Sequence, residues 1–267
     1  MEPEKLAKIA TKIRQLIIIS LAHAKSGHTA GALGMADIFT YLYFKYLRIS
    51  TTDPWNDKRD RLILSNGHIC AVLYATLAMR GFFSIDKLKT LRAYNSKLQG
   101  HPHYKMLPGI ENTSGPLGQG VSQAIGVAIG TKNLETKTVC VISDGELQEG
   151  QTWEALMFIG NSNLKNLTIV IDRNNIQISG FIENVMPLEP LVKKLEDFNL
   201  VVFSIDGNNL DEIQTTFAKR DLIEKPVVII ANTIPGFGVD FIENDFTWHG
   251  KVPTTDEAKA AINQLKV

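Results

Sequence analysis

The amino-acid sequence predicts an α/β fold, built on a doubly wound, mostly parallel sheet with helices on both faces. Short β-branched apolar runs alternate with segments of helical periodicity along the chain, as expected when crossover helices connect parallel strands. The clearest instance is a βαβ unit, in which the strands Thr138–Ile142 and Leu167–Ile171 flank a helix from Glu149 to Asn163. The 267 residues contain no internal repeat, low-complexity stretch or linker, so one domain over residues 1–267 is the simplest organisation.

The first third of the chain is predicted to be largely helical. Apolar residues recur at helical spacing near the amino terminus, and a run of small residues with three glycines follows. A glycine at position 81 ends the last helix of this region. The predicted elements are a helix from Glu4 to Ala24, a glycine-rich loop from Ser26 to Gly34, a helix from Met35 to about Leu47, a strand from Arg61 to Ser65 and a helix from about Ile69 to Met79.

The rest of the chain is predicted to be irregular at first and then to alternate between strands and helices. Gly, Pro and His recur from Gln99 to Gly120, which indicates loops. Besides the βαβ unit, the predicted elements are a small-residue helix from Val121 to Gly130, strands at Leu200–Ile205 and Pro226–Ala231, a helix from Leu210 to Phe217 between them, a glycine loop at Pro235–Gly238 and a helix from Asp256 to Leu265.

Composition restricts the classes of partner and the compartment. Lys+Arg and Asp+Glu both number 28, so the net charge is zero, and nothing indicates a nucleic acid or an anionic membrane as a partner. Cys70 and Cys140 lie in apolar runs without metal or disulfide spacing, so we expect buried free thiols. The apolar run Leu16–Ile19 is too short to span a bilayer and lacks the layout of a signal peptide. We therefore expect a cytoplasmic protein.

Polar residues follow both strands of the βαβ unit. Asp144 and Gly145 come directly after one strand, and Asn174 and Asn175 follow the other. Parallel neighbouring strands would bring Asp144 and Asn174 together at the carboxyl edge of the sheet, where ligands bind in such folds. Carboxylate and amide oxygens suit a hard divalent cation that holds phosphate oxygens, and the Gly145 backbone would help to hold the anion. The alternative is an ordinary Asp-Gly turn and an ordinary strand end.

Four of the six histidines lie in loops that contain glycine, near predicted strand ends or helix starts. A single loop histidine is usually just solvated, but four in this setting suggest phosphate binding and proton transfer near neutral pH. His23 is predicted to lie on a helix surface, and His103 has no comparable setting. The four are His28, His68, His101 and His249.

Together, these motifs resemble the amino-terminal half of a transketolase, a thiamine-diphosphate enzyme that moves two-carbon ketol units between sugars. The similarity runs from about residue 10 to residue 250 in family order. The matching segments are Ser26-Gly27-His28 with Leu33-Gly34-Met35-Ala36, Leu64-Ser65-Asn66-Gly67-His68, Gly100-His101-Pro102, Thr113-Ser114-Gly115-Pro116-Leu117-Gly118-Gln119-Gly120, and Ser143-Asp144-Gly145 with Leu147-Gln148-Glu149-Gly150 and Asn174-Asn175-Ile176.

The resemblance implies a role for each site residue. His101 would line the substrate channel, and Glu149 would lie at an interface that links two active sites. A divalent metal (Mg²⁺, or Ca²⁺ or Mn²⁺) would be bound by Asp144, Asn174 and the Ile176 carbonyl. The diphosphate or the substrate would be contacted by His28, His68 and His249. The cofactor would be supported by Gly115, Pro116, Leu117, Gly145 and Glu149. Two positions depart from the family pattern: Ser143 stands where glycine is usual, and Thr29-Ala30 stands where Pro-Gly is usual.

The resemblance also implies a partner. In this family a second, pyrimidine-binding domain supplies a glutamate to the cofactor and most contacts to the sugar phosphates, and no segment here resembles that domain. We therefore expect thiamine diphosphate- and Mg²⁺-dependent ketol transfer between sugar phosphates, as in the pentose phosphate pathway, only in a complex with a pyrimidine-binding transketolase subunit. The expected complex is a heterotetramer with two copies of each chain.

Three alternatives stay open at this point. One is a subunit of another thiamine-dependent synthase or lyase, such as a deoxyxylulose-phosphate synthase, and another is a transketolase for an unusual sugar. The histidine loops favour sugar substrates, and the Gly115–Gly120 segment favours transketolase. The third is a catalytically silent scaffold, which the intact Asp144, Asn174, His68 and His249 disfavour.

Overall fold

A five-stranded parallel sheet forms the centre of the molecule in a computed structural model, which describes residues 2–266. The strand order across the sheet is β1-β2-β3-β7-β6, and a separate two-stranded antiparallel hairpin pairs β4 with β5. The strands are β1 (Arg61–Leu64), β2 (Thr138–Ser143), β3 (Leu167–Arg173), β4 (Ile176–Gln177), β5 (Gly180–Phe181), β6 (Val201–Asp206) and β7 (Val227–Asn232).

Helices cover both faces of the sheet, as the alternation of elements predicted. Short 3₁₀ turns span Gly67–Ile69, Ile85–Thr90, Gly145–Gln148 and Phe246–Trp248, and a π-helical turn spans Leu42–Tyr46. The α-helices are α1 (Pro3–Ala24), α2 (Ala30–Gly34), α3 (Ala36–Tyr41), α4 (Cys70–Arg80), α5 (Gln119–Thr131), α6 (Gly150–Gly160), α7 (Ile182–Val185), α8 (Leu191–Glu196), α9 (Leu210–Arg220) and α10 (Thr255–Gln264).

Alternate residues of each strand enter two separate hydrophobic cores. On β2, Val139 and Val141 pack with α1, α3 and α4 on one face, whereas Cys140 and Ile142 pack with α5 and α6 on the other. Alternation is the geometry of a strand with both faces covered. The predicted doubly wound α/β fold is therefore confirmed. Cys70 and Cys140 are buried free thiols, also as predicted.

The structure corrects one prediction in the first third of the chain. The predicted glycine loop Ser26–Gly34 is helical from Ala30 onward. The predicted helix Met35–Leu47 is present as α3 from Ala36, which continues into the π-helical turn as far as Tyr46. Glycine lowers helix propensity, but close packing outweighs it here. A methyl group built at Gly34 would lie only 2.8 Å from the Ile234 carbonyl oxygen, so the short helix depends on small residues.

The sequence did not predict the β4–β5 hairpin or the helices α7 and α8. Each contains between two and six residues, too few to show a periodic pattern. Within residues 2–266, no helix combines the length and the apolar character needed to cross a membrane.

Candidate functional site

The carboxyl ends of β2 and β3 bring the predicted metal ligands to one edge of the sheet. The two strands pair in parallel, with Ser143 opposite Asp172. The Asp144 backbone N–H donates to the Asp172 carbonyl at 3.0 Å, and the Asn175 N–H donates to Asp144 Oδ2 at 2.6 Å. Asp144 and Asn174 are thus held in adjacent loops, as the βαβ unit predicted.

Buried hydrogen bonds fix the orientation of the Asn174 amide. Its Nδ2 donates to Asp172 Oδ2 at 2.8 Å, and its Oδ1 accepts from the Ile176 N–H at 3.0 Å. The Thr233 hydroxyl donates to the other oxygen of Asp172. Burial raises the pKa of Asp172 to about 7, and the nearby Asp144 charge adds to the shift. The amide oxygen is therefore held near the backbone of Ile176, the third predicted metal ligand.

Arg173 is a site residue that the sequence analysis missed. Its Nη1 donates to Asp144 Oδ2 at 3.0 Å, and its Nη2 donates to Glu183 and, at 3.4 Å, to Glu189. The only indication of this residue in the sequence was a positively charged side chain directly before Asn174. The arginine partly neutralises the carboxylate on which a divalent cation would depend.

Three of the four predicted histidines form a compact triangle. His28 precedes α2, His68 lies in the turn after β1, and His249 follows the turn Phe246–Trp248. Their ring centroids are separated by 5.1 Å (His28 to His68), 5.4 Å (His28 to His249) and 5.2 Å (His68 to His249). Three distant parts of the chain thus meet at one point.

The surroundings keep these imidazoles neutral near pH 7. Burial lowers the pKa of His28 to about 4, and the neighbouring His249, Arg92 and His101 add to the shift. Burial also lowers the pKa values of His68, His101 and His249. A neutral imidazole has one N–H donor and one acceptor nitrogen, so the cluster can both donate and accept protons. His23 and His103 are exposed and lie outside the triangle.

One cavity of about 390 Å³ joins the histidines to the edge of the sheet. Asp144 and Asn174 are buried beside the lining, whereas Pro116 and Glu149 are exposed and do not line it. The hairpin residues Gln177 to Ser179 also line it, and Ile178 is 73% exposed there. The predicted residues that line the cavity are His28, His68, His101, Gly115, Leu117, Gly145, Ile176 and His249.

The residues around this cavity fit a diphosphate with a divalent cation. Four buried polar atoms in the loops around it have no partner among the described residues 2–266: His28 Nδ1, both polar atoms of the Asn66 side chain and Ser114 Oγ. Buried polar atoms of this kind usually pair with a ligand or water. Among residues 2–266, no group of three or more His, Cys, Asp or Glu side chains is arranged around a metal. The cation would therefore rely on one carboxylate together with amide and carbonyl oxygens, a set that Mg²⁺ accepts.

Both departures from the family pattern make hydrogen bonds within the site. Ser143 Oγ accepts from the Glu146 N–H at 3.3 Å, so this hydroxyl caps the turn after Asp144. The Thr29 hydroxyl donates to the Lys251 carbonyl at 2.6 Å and thereby ties the His28 loop to the His249 loop.

Comparison with known proteins gives a consistent result. Residues 6–266 match the family model described as "Transketolase, thiamine diphosphate binding domain". The chain is 38% identical over 266 residues to one subunit of the apulose-4-phosphate transketolase of Actinobacillus succinogenes, covering 98% of this chain and 96% of that protein. It is also 38% identical over 260 residues to 6-deoxy-6-sulfo-D-fructose transketolase subunit SqwG of a Clostridium species, covering 96% and 94%.

Solved transketolases share the fold but are much longer. The Campylobacter jejuni enzyme superimposes with a TM-score of 0.93 at 32% identity, covering 99% of this chain and 43% of that one. The Leishmania mexicana enzyme gives 0.92 at 30% identity, covering 97% and 41%. This chain thus spans about two fifths of the length of these enzymes. The resemblance indicated by the motifs is confirmed, and the chain belongs to the transketolase family of transferases, matching that family's thiamine diphosphate binding domain.

Proposed function

We propose that this chain is the diphosphate-binding subunit of a split transketolase, which transfers two-carbon ketol units between sugar phosphates. The observation that carries the proposal is the single cavity shared by four histidines beside the paired loops of Asp144 and Asn174. The full-length match to proteins that are themselves named as single subunits of transketolases supports the split arrangement. Residues 1–267 would form one domain, and the two buried free thiols fit the reducing cytoplasm.

The residues of the cavity divide into two groups in this proposal. Asp144 and Asn174, with the Ile176 carbonyl, would hold Mg²⁺, while the loops of Gly115–Leu117 and Gly145 would support thiamine diphosphate. When bound, the cofactor supplies the electron sink for cleaving and forming the carbon–carbon bond. The neutral imidazoles of His28, His68, His101 and His249 would donate hydrogen bonds to substrate oxygens and carry protons.

Exposed apolar surface supports the existence of a partner. On α6, Met157 and Phe158 are each 52% exposed, and Ile129 is exposed on the neighbouring α5. Methyl groups built at Gly126 and Gly130 of α5 would lie more than 4 Å from every other atom of residues 2–266 outside their own helix turns, so a partner can approach this face closely. Such surface is typical of obligate interfaces. A pyrimidine-binding subunit would cover it, in a heterotetramer with two copies of each chain, and Glu149 at the start of α6 would lie in that interface.

The proposal also allows a specialised substrate. Two relatives that match over nearly their whole length are named for apulose-4-phosphate and for 6-deoxy-6-sulfo-D-fructose. A transketolase for an unusual sugar is therefore the second candidate, which differs in the donor sugar and not in the chemistry.

Reconstitution with the partner tests the proposal. The chain, a co-purified pyrimidine-domain partner and their mixture are assayed with thiamine diphosphate, Mg²⁺, an aldose acceptor and a panel of ketose donors. The panel contains common ketose phosphates, apulose-4-phosphate and 6-deoxy-6-sulfo-D-fructose. We expect ketol transfer by the mixture alone, and the preferred donor separates the two candidates.

Calorimetric titration of the complex with thiamine diphosphate and Mg²⁺ tests the metal assignment. The cofactor should bind about a hundredfold more weakly to Asp144→Asn than to wild type, because the diphosphate loses its bridging cation. The exposed Asp240→Asn is the matched control. Unchanged affinity in Asp144→Asn would contradict the metal assignment.

A further inference from the structure

Glu146 carries a buried carboxylate and does not line the cavity. It lies in the turn Gly145–Gln148, two residues after Asp144, and its side chain is completely buried. One oxygen, Oε1, accepts from the Gly118 backbone N–H at 2.5 Å and from the Ser65 hydroxyl. Ser65 Oγ in turn accepts from the Gly120 N–H at 2.9 Å.

These bonds join three separate segments around one carboxylate. They connect the end of β1 at Ser65, the turn after β2 at Glu146, and the loop of residues 114–120. That loop contributes Gly115 and Leu117 to the cavity. A side chain that does not line the cavity is thus bonded to the loop that carries two cavity-lining residues.

The loop approaches the end of β1 too closely for side chains at two positions. A methyl group at Gly120 would overlap Ser65, and one at Gly67 would overlap Ser114. Further hydrogen bonds also hold the loop. Gln151 Nε2 donates to the Leu117 carbonyl at 3.0 Å, and Gln119 Nε2 donates to Gln151 Oε1. The Ser114 N–H donates to the Pro102 carbonyl at 3.1 Å.

Burial raises the pKa of the Glu146 carboxyl, although the hydrogen bonds from Ser65 and Gly118 oppose the shift. Within the part of the chain that the structure describes, the second oxygen, Oε2, has no hydrogen-bond partner. The single oxygen Oε1 accepts both hydrogen bonds, so the oxygen of a glutamine amide in the same place can accept them too.

We propose that Glu146 is a positioning residue that clamps loop 114–120 to the turn presenting Asp144. The metal-binding carboxylate and the loop that lines the cofactor cavity then form one rigid unit. The clamp follows from the hydrogen bonds alone, whereas its effect on cofactor binding rests on the proposed function.

Hydrogen exchange of the cofactor-free full-length chain tests the clamp. In Glu146→Ala we expect the amides of residues 114–120 to exchange about tenfold faster or more, because two hydrogen bonds to one acid are lost. Exchange in β3 and α4 should be unchanged. Glu146→Gln should restore protection to within about threefold of wild type, because the amide oxygen accepts the same bonds. The exposed Glu196→Gln on α8 should match wild type.

A second variant and a second readout keep the test decisive. Ser65→Ala removes one link of the clamp without touching the acid, and it should also accelerate exchange of residues 114–120, even where Glu146→Ala does not fold. Calorimetric titration with thiamine diphosphate and Mg²⁺ should show about tenfold weaker binding in Glu146→Ala and near-normal binding in Glu146→Gln.

Two results would overturn the clamp. One is wild-type exchange of residues 114–120 in both Glu146→Ala and Ser65→Ala. The other is equal acceleration throughout the sheet, which would make Glu146 an ordinary core residue. If wild type binds no cofactor, the proposed function fails, but the exchange data still decide the clamp.

Discussion

Arg173 and Asp144 form a buried ion pair in which the guanidinium Nη1 lies 3.0 Å from the carboxylate Oδ2. The same oxygen accepts the Asn175 N–H, and Oδ1 accepts the Gly145 N–H at 2.8 Å. Asp172, a second buried carboxyl, is nearby. Without a metal, Arg173 is the positive charge that compensates Asp144. With a metal, arginine and cation would share one carboxylate.

Arg173→Met should therefore make the protein depend on the metal for stability. Removing one member of a buried ion pair leaves an unpaired charge, so we expect the free energy of unfolding to fall by about 3 kcal/mol without Mg²⁺. Because Mg²⁺ replaces the lost positive charge, it should raise the melting temperature of the variant more than that of wild type.

Thermal melts of both proteins with and without Mg²⁺ measure this difference. Lys165→Met, which removes an exposed ion pair with Glu224, serves as the control and should change little. An equal Mg²⁺-induced shift in Arg173→Met and wild type would show that arginine and metal do not compete for Asp144.

The histidine cluster should make the cofactor-free chain sensitive to acid. The pKa of His28 is about 4 in the folded chain and 6.5 for an ordinary histidine, so the unfolded state binds more protons between these values. Stability from neutral His28 is complete above pH 6.5 and is lost as the pH falls towards about 4. Between pH 7 and pH 4, His28→Asn should lose less stability than wild type, by about 2 kcal/mol.

Urea unfolding at a series of pH values checks this expectation, with the exposed His23→Asn as the control. The raised pKa of Asp172 changes stability with pH in the opposite direction, since its stabilising contribution is lost as the pH rises through about 7. That contribution is common to all three proteins and cancels in the comparison. Parallel pH profiles for His28→Asn and wild type would contradict the desolvation of His28.

Elements formed by apolar runs could be predicted from the sequence, and those defined by side-chain geometry could not. The strands of the main sheet begin and end within two residues of prediction because their β-branched runs are bounded by polar residues. The pairing of Arg173 with Glu183 and Glu189 depends on the chain reversal at the β4–β5 hairpin, which two-residue strands do not reveal.

The candidate site shows the same division. The placement of Asp144 beside the loop of Asn174 follows from the parallel βαβ unit. A shared role for His28, His68 and His249 was indicated by their glycine-containing loops and then by the family resemblance. Their mutual distances depend on three loops that close on one another, and the helix at Ala30–Gly34 that supports His28 has a sequence typical of a loop.

Thr29 should hold the His249 loop in register with the His28 loop. Thr29→Val keeps the shape of the side chain but removes the bond to the Lys251 carbonyl, a cost of about 1 kcal/mol. We expect a similar loss of stability in Thr76→Val, which removes a buried hydroxyl bond to the Val72 carbonyl in α4. Only Thr29→Val should lower the turnover of the reconstituted enzyme, by about tenfold, because imidazoles that are displaced by a fraction of an ångström transfer protons poorly. Steady-state kinetics and thermal melts on both variants separate the two effects, and equal turnover in the two would remove Thr29 from the site.

A substitution on the exposed face of α5 and α6 should abolish activity and change the stability of the isolated chain little. Phe158→Glu changes an exposed side chain, so the isolated chain should keep its stability within about 0.5 kcal/mol. In the complex, the same change would bury an unpaired carboxylate in an apolar interface, so the variant should fail to bind the pyrimidine-domain partner and lose ketol transfer. Leu222→Glu, at a site that is 83% exposed after α9, is the matched control and should assemble normally. Light scattering measures the mass of each mixture, and a transfer assay follows its activity.

The wild-type chain alone should self-associate through this face and show no transfer. Full assembly and activity of Phe158→Glu would place the partner elsewhere, and ketol transfer by the single purified chain would refute the split enzyme altogether.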